Sequence, residues 1–149
     1  MASGSQKTSA SQEIIHASTV AWQGNALLIL GKSGSGKSTL ALDLISLGAD
    51  LVADDRTALC LSAGHLQAAA PSAIAGLIEA RFVGILLLPH VESAKVALAI
   101  DLDSEESHRL PPARFKSILG RSVPLIHRPP RKTPVSALLQ CMMLRRDTP

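Results

Sequence analysis

The chain has 149 residues, which bounds it to one domain with room to bury about 70% of its unfolded surface. It is 46% hydrophobic but only 2% aromatic, so a base-stacking surface is not expected, and no apolar run nears the ~18 residues of a membrane span or opens the chain as a signal peptide. The net charge of +3 divides into 6 basic and 11 acidic residues over 1–106, and 9 basic and 1 acidic over 107–149; the basic end suits a phosphate site, an acidic partner or a subunit contact, not nucleic acid, because its cations are scattered among prolines and match no reading motif.

Residues 1–12 are small and polar and read as a disordered tail, leaving 13–149 as the folded domain. Residues 14–20 fit a first strand, and Gln23-Gly24-Asn25 a turn. Residues 26–30 form a short apolar run, as expected of a strand buried on both faces. A glycine-rich loop follows. A helix then spans about 36–47, with Leu40, Ala41, Leu44, Ile45 and Leu47 on its apolar stripe and Gly48 as C-cap.

Residues 51–53 read as a buried strand ending at Asp54-Asp55. Residues 57–62 and 65–70 flank Ala63-Gly64 as a hairpin. Residues 83–88 and 96–100 are further apolar strands, 103–114 a polar loop and 122–126 a late strand. Pro129, Pro130 and Pro134 bracket the entry to a last helix at about 135–144. The class is α/β, one phosphate-loop domain with a mixed, partly antiparallel sheet. Cys60 and Cys141 share no metal-ligand spacing and fit a cytoplasmic protein with incidental thiols.

Residues 31–38 read Gly31-Lys32-Ser33-Gly34-Ser35-Gly36-Lys37-Ser38 and match the G-x-x-x-x-G-K-[ST] phosphate loop at every fixed position. Its glycines let backbone N–H groups converge on phosphate oxygens. Lys37 supplies a point charge for the β- and γ-phosphates, and Ser38 a hydroxyl for Mg²⁺. Thr39 follows at the start of the helix. The nucleotide-binding set is thus Gly31, Ser33, Gly34, Ser35, Gly36, Lys37, Ser38 and Thr39.

Such a site needs a carboxylate at a neighbouring strand end. Asp101, after the apolar run 96–100, is one candidate. The Asp54-Asp55 pair is the other. Two adjacent carboxylates are not both buried and charged without a shared cation or proton. One of them suits the metal and the other suits proton abstraction from an attacking hydroxyl.

The order Ile15-His16-Ala17, then the 31–38 loop, then Leu51-Val52-Ala53-Asp54-Asp55, then Glu79-x-Arg81-x-x-Gly84-Ile85 resembles the catalytic domain of HPr kinase/phosphorylase. It is most similar to the short alphaproteobacterial forms, over about residues 13–146. The resemblance implies a sheet like that of phosphoenolpyruvate carboxykinase, and hexamers in the long forms. It implies an ATP- and Mg²⁺-dependent kinase acting on a serine of the phosphocarrier protein HPr in phosphotransferase-linked metabolism, with phosphorolysis as the reverse reaction. By the same resemblance Asp54 is the general base, His16 assists it, and Arg109 contacts phosphate from a loop. Ser38, Asp55 and Glu79 form the metal site, with Arg81 alongside. The family's second signature reads close to E-[IV]-R-G-[LV]-G-I, and Phe82 here stands in place of its first glycine.

Two other readings use the same loop. One is a small-molecule or nucleotide kinase with Asp101 as the metal carboxylate. The other is a nucleotide-binding regulator with reduced turnover.

Overall fold

The computed structural model describes residues 12–144. The expected polar tail therefore lies outside the described residues, apart from Gln12, which opens the first strand.

Strands β1 (Gln12–Trp22) and β2 (Asn25–Leu30) form an antiparallel hairpin. Its two-residue turn puts Gln23 and Gly24 at φ 51° and 84°, the left-handed conformation that matches the twist of paired strands. The expected buried run is fully inaccessible from Ala26 to Ile29. Alternation sends these side chains to two different cores. Leu27 and Ile29 join a cluster with Leu40 and Leu44 of helix α1 (Lys37–Ser46) and with Leu138, Leu139 and Met142 of helix α2 (Val135–Leu144). Ala26 and Leu28 face the opposite cluster, which contains Leu59, Leu66 and Ala68. The first helix stops where Gly48 takes φ 110° and its N–H bonds to the Ile45 carbonyl. An added Cβ there would lie 3.2 Å from the Trp22 ring.

Strand β3 (Asp50–Ala53) pairs antiparallel with the second half of β1, and β4 (Arg56–Ser62) with its first half. Strands β4 and β5 (His65–Ala69) form the expected hairpin over Ala63-Gly64. The long β8 (Ala94–Glu105) runs parallel to β2 on one side. Its other side meets β5 near its start and β10 (Arg121–Arg128), in parallel, towards its end. Strand β9 (Phe115–Ile118) closes the edge against β10. The result is an eight-stranded mixed sheet with both helices packed against one of its two apolar clusters.

Three expectations change. The run 83–88 forms a strand, but outside the main sheet. It contributes β7 (Gly84–Leu87), paired only with β6 (Leu77–Ala80) in a separate two-stranded ribbon. Val83, Ile85 and Leu87 are exposed there, because apolarity marks a strand but does not supply a sheet to cover it. The apolar run at 96–100 does not end at Asp101, since β8 continues to Glu105. Its register against β10 shifts after Asp101, an irregularity that breaks the period-two pattern which sequence reading relies on. Strands β6 and β9 were not expected, being four residues each.

Ile100 is fully buried in the middle of the parallel trio, abreast of Ile29 and Ile126. Ile100→Ala is expected to cost roughly 2–5 kcal/mol, read as a lowered urea midpoint with an unchanged slope.

Candidate active site

The 31–38 loop starts where β2 ends and delivers the chain into α1. Gly31 sits at φ 155°, and a Cβ there would fall 2.4 Å from the Ser35 hydroxyl. Gly34 and Gly36 take φ 86° and 102°, left-handed values that glycine adopts at little cost. The Ser35 N–H closes the turn on the Lys32 carbonyl at 3.0 Å. The loop is tied to β8 by the Lys32 N–H, which donates to Asp103 Oδ2 at 2.9 Å.

Lys37 is buried and folds back across this loop. Its ammonium donates to the carbonyls of Gly31 at 2.8 Å and Lys32 at 3.2 Å, and lies 3.8 Å from Asp55 Oδ1. The next residue, Ser38, donates to Asp54 Oδ1 at 2.6 Å. Asp54 is buried at the end of β3, where three elements meet its carboxylate. Ser18 of β1 donates to Oδ1 at 2.7 Å, Ser38 of α1 to the same oxygen, and the Glu79 N–H of β6 to Oδ2 at 3.0 Å.

The two adjacent acids avoid mutual burial by backbone geometry. Asp55 takes φ 64°, a left-handed value tolerated by Asp, and its side chain is 61% exposed. The turn is held by the Arg56 N–H on the Asp54 carbonyl at 2.7 Å and by the Ala17 N–H on the Asp55 carbonyl at 3.1 Å. The Asp55 N–H donates to Ser18 Oγ at 3.1 Å. Ser18 therefore organises both acids. Sequence reading passed over it, although Ser18-Thr19 is a fully buried polar pair in an otherwise apolar stretch of strand.

These groups surround a cleft of about 240 Å³. Ser33, Gly34, Gly36, Lys37, Ser38 and Thr39 line it from the loop and helix, and Asp54, Asp55, Glu79 and Arg81 complete the lining. Gly31 takes part through its carbonyl. The Ser35 hydroxyl is buried, has no hydrogen-bond partner among the described residues and does not line the cleft. His16 is exposed on β1, opposite Arg56 and one residue from Ala17, outside the cleft lining. Asp101 is also outside it, and both its oxygens are engaged, by the Asp103 N–H at 2.9 Å and the Ser104 hydroxyl at 3.1 Å. Arg109 lines a second cavity, beside His108, Ile126 and His127.

Among the described residues, no cluster of three or more His, Cys, Asp or Glu forms a metal site of its own. The fit to Mg²⁺ is of another kind. Ser38 and the Asp54-Asp55 pair offer hard oxygens at the cleft, which suits an ion that takes one or two protein ligands and draws the rest from phosphates and water.

Phe82, in the signature's glycine position, takes φ 65° at the β6–β7 turn and is fully exposed. The side chain clears the site by pointing to solvent, at a backbone cost of about 1 kcal/mol. Phe82→Gly relieves that cost and loosens the unfolded chain by a similar amount. It is expected to leave the unfolding free energy within about 1 kcal/mol of its original value, as measured by urea titration.

Glu106 closes the end of β8. Arg114 donates to its carboxylate through Nε at 3.3 Å and Nη2 at 3.1 Å, and the N–H groups of Ser107 and His108 donate at 3.1 Å each. The Arg114 guanidinium, helped by the His108 contacts and opposed by burial, lowers the Glu106 pKa from 4.5 to about 2. A carboxyl depressed in the fold contributes its stability above the unfolded pKa and loses it as pH falls through the folded one. The contribution is thus expected to be complete above about pH 4.5 and to vanish towards pH 2. Glu106→Gln should flatten that limb of the stability–pH curve.

Comparison with known proteins places this geometry in a family. The sequence model of the HPr serine kinase C-terminal domain matches residues 7–110. HPr kinase/phosphorylase of Thermoanaerobacter sp. (strain X514) is 42% identical over 97 residues, 62% of this chain and 32% of that protein. The protein of the same name from Caldicellulosiruptor bescii is 36% identical over 129 residues, 78% of this chain and 42% of its own length. This chain thus spans about a third to two-fifths of these two curated relatives. The structure of the Hpr(Ser) kinase/phosphatase from Coxiella burnetii superposes with a TM-score of 0.72 at 27% identity, covering 86% of this chain and 87% of that one.

Proposed function

We propose that this chain, which belongs to the HPr serine kinase C-terminal domain family, transfers the γ-phosphoryl group of ATP to a serine hydroxyl of the phosphocarrier protein HPr, and that it returns the phosphoryl group to inorganic phosphate in the reverse direction. The observation that carries the reading is the run from the Lys37 ammonium to the Ser38 hydroxyl to the Asp54 carboxylate along one wall of the cleft. The relatives' names supply the partner, HPr. A cytoplasmic location and assembly into an oligomer belong to the same proposal.

In this reading the 31–38 loop and Lys37 hold the phosphates. Mg²⁺, when bound by Ser38 and an acid of the pair, supplies positive charge that offsets the charge developing on the transferred group. Asp54 takes the proton of the substrate serine as the hydroxyl attacks in line. In the reverse direction it returns that proton. Glu79 and Arg81 face the same cleft, where they would complete the metal site and contact phosphate. His16, one strand position from the Asp55 carbonyl's donor, would orient the acid turn. Arg109 would approach the phosphates from its loop.

One observation favours a second assignment within the same reaction. The Asp54 carboxylate already accepts three hydrogen bonds, whereas Asp55 is open to the cleft. The roles of base and metal ligand are then exchanged between the two acids.

Purified HPr and ATP, followed by inorganic phosphate, with phosphoserine tracked by mass, test the function. Asp54→Asn is expected to lower transfer by about 10²-fold or more while the circular dichroism spectrum stays unchanged. The Mg²⁺ dependence separates the two assignments. If Asp54 is the base, Asp54→Asn keeps the Mg²⁺ midpoint for nucleotide binding and Asp55→Asn raises it; the exchanged assignment predicts the reverse. Tight nucleotide binding with no phosphoserine on HPr would remove the kinase reading and leave a nucleotide-binding regulator.

A further inference from the structure

A second cavity of about 520 Å³, against 240 Å³ for the cleft, opens at the carboxyl ends of β8 and β10. Ile126 and His127 of β10 line one side, with Pro129 and Pro130 just beyond them, and Arg109 lies on the loop that follows β8. Its size lies within the range of small-molecule sites, and its mix of apolar wall and few polar groups is typical of them.

The position of this cavity carries the argument. Strands β2, β8 and β10 run parallel, and Leu30, Asp101 and His127 stand abreast across them. Leu30 is the residue before the glycine loop. At about 4.8 Å per strand, His127 stands about 10 Å along the carboxyl edge from the start of that loop. Both neighbours are pinned to the same stretch of β8. The Lys32 N–H donates to Asp103, and Arg128 Nε donates to the Leu102 carbonyl at 3.0 Å. Cleft and cavity are therefore two stations on the edge where open α/β sheets receive ligands.

The chemistry of the wall agrees. Prolines present flat apolar surface and no N–H groups. The planar imidazole of His127 is of the kind on which heterocycles stack. Glu106, the one acidic residue among the described residues that line this cavity, has its carboxylate matched by the Arg114 guanidinium.

We infer that this cavity holds the base and ribose of the nucleoside triphosphate whose phosphates lie on the 31–38 loop. The inference rests on the phosphate-loop reading and extends it to the nucleoside. The test compares Mg²⁺-ATP with Mg²⁺-tripolyphosphate, which carries the phosphates alone, by calorimetry. ATP is expected to bind on the order of tenfold more tightly. Ile126→Trp, which fills the cavity, should erase the difference and leave tripolyphosphate binding unchanged, which also shows that the variant is folded. In the unaltered protein, ATP but not tripolyphosphate should slow amide exchange at residues 126–128 and 106–109. Equal affinities, or ATP-specific protection elsewhere, would overturn the inference and spare the phosphate loop. Failure of both ligands to bind would overturn the loop reading and the inference with it.

Discussion

The Asp54 carboxylate is the junction on which the rest of the site depends. It is buried, so its charge requires partners. Those partners come from β1, α1 and β6, elements that are far apart in the chain. Satisfying one anion therefore fixes how the helix sits on the sheet and where the β6–β7 ribbon begins. The same three bonds set the mouth of the cleft. Stability and chemistry here are properties of one group of atoms, because an unpartnered carboxylate at this depth would be costly.

Around that junction the sheet divides the labour. Residues 26–30 of β2 are each committed to one of two cores by simple alternation, so the strand cannot slip by one position without exchanging both. That rigidity positions the loop that follows it. Strand β8 binds the loop on one side through Asp103 and binds β10 on the other through the Leu102 carbonyl. Its irregular end, with Asp101 folded onto Asp103 and Ser104, is structural support for the loop. Asp101 thus braces the loop from outside the cleft lining, away from the place a small-molecule kinase would give its metal carboxylate.

Much of this was legible in the residues. The glycines, Lys37 and Ser38 declare themselves because the chemistry restricts both type and spacing. The acid pair was legible as a conflict between two charges, and the left-handed Asp55 resolves it by placing one inside and one out. The last helix was bounded correctly by its prolines. What was not legible depends on partners distant in sequence. Ser18 matters only because residues 54 and 55 fold beneath it. The run at 83–88 has the composition of a core strand, and only tertiary packing decides that Leu86 and Leu88 meet the helix-side cluster while Val83, Ile85 and Leu87 face outward. Strands β6 and β9 are too short to show a period. The placement of Arg109 in a second cavity follows from the path of β8 and β10, which no local pattern encodes.

The bond from residue 79 to Asp54 is made by a main-chain N–H. Every residue type except proline carries that group. The position of the buried acid is therefore insulated from the identity of the side chain at 79. A change of side chain there would bear on the proposed metal site without moving the carboxylate beneath it. Ser18 and Ser38 have no such freedom, because they hold the same acid through hydroxyl groups that few side chains share. One anion is thus anchored by one tolerant and two intolerant positions, an uneven distribution of mutational latitude around a single group.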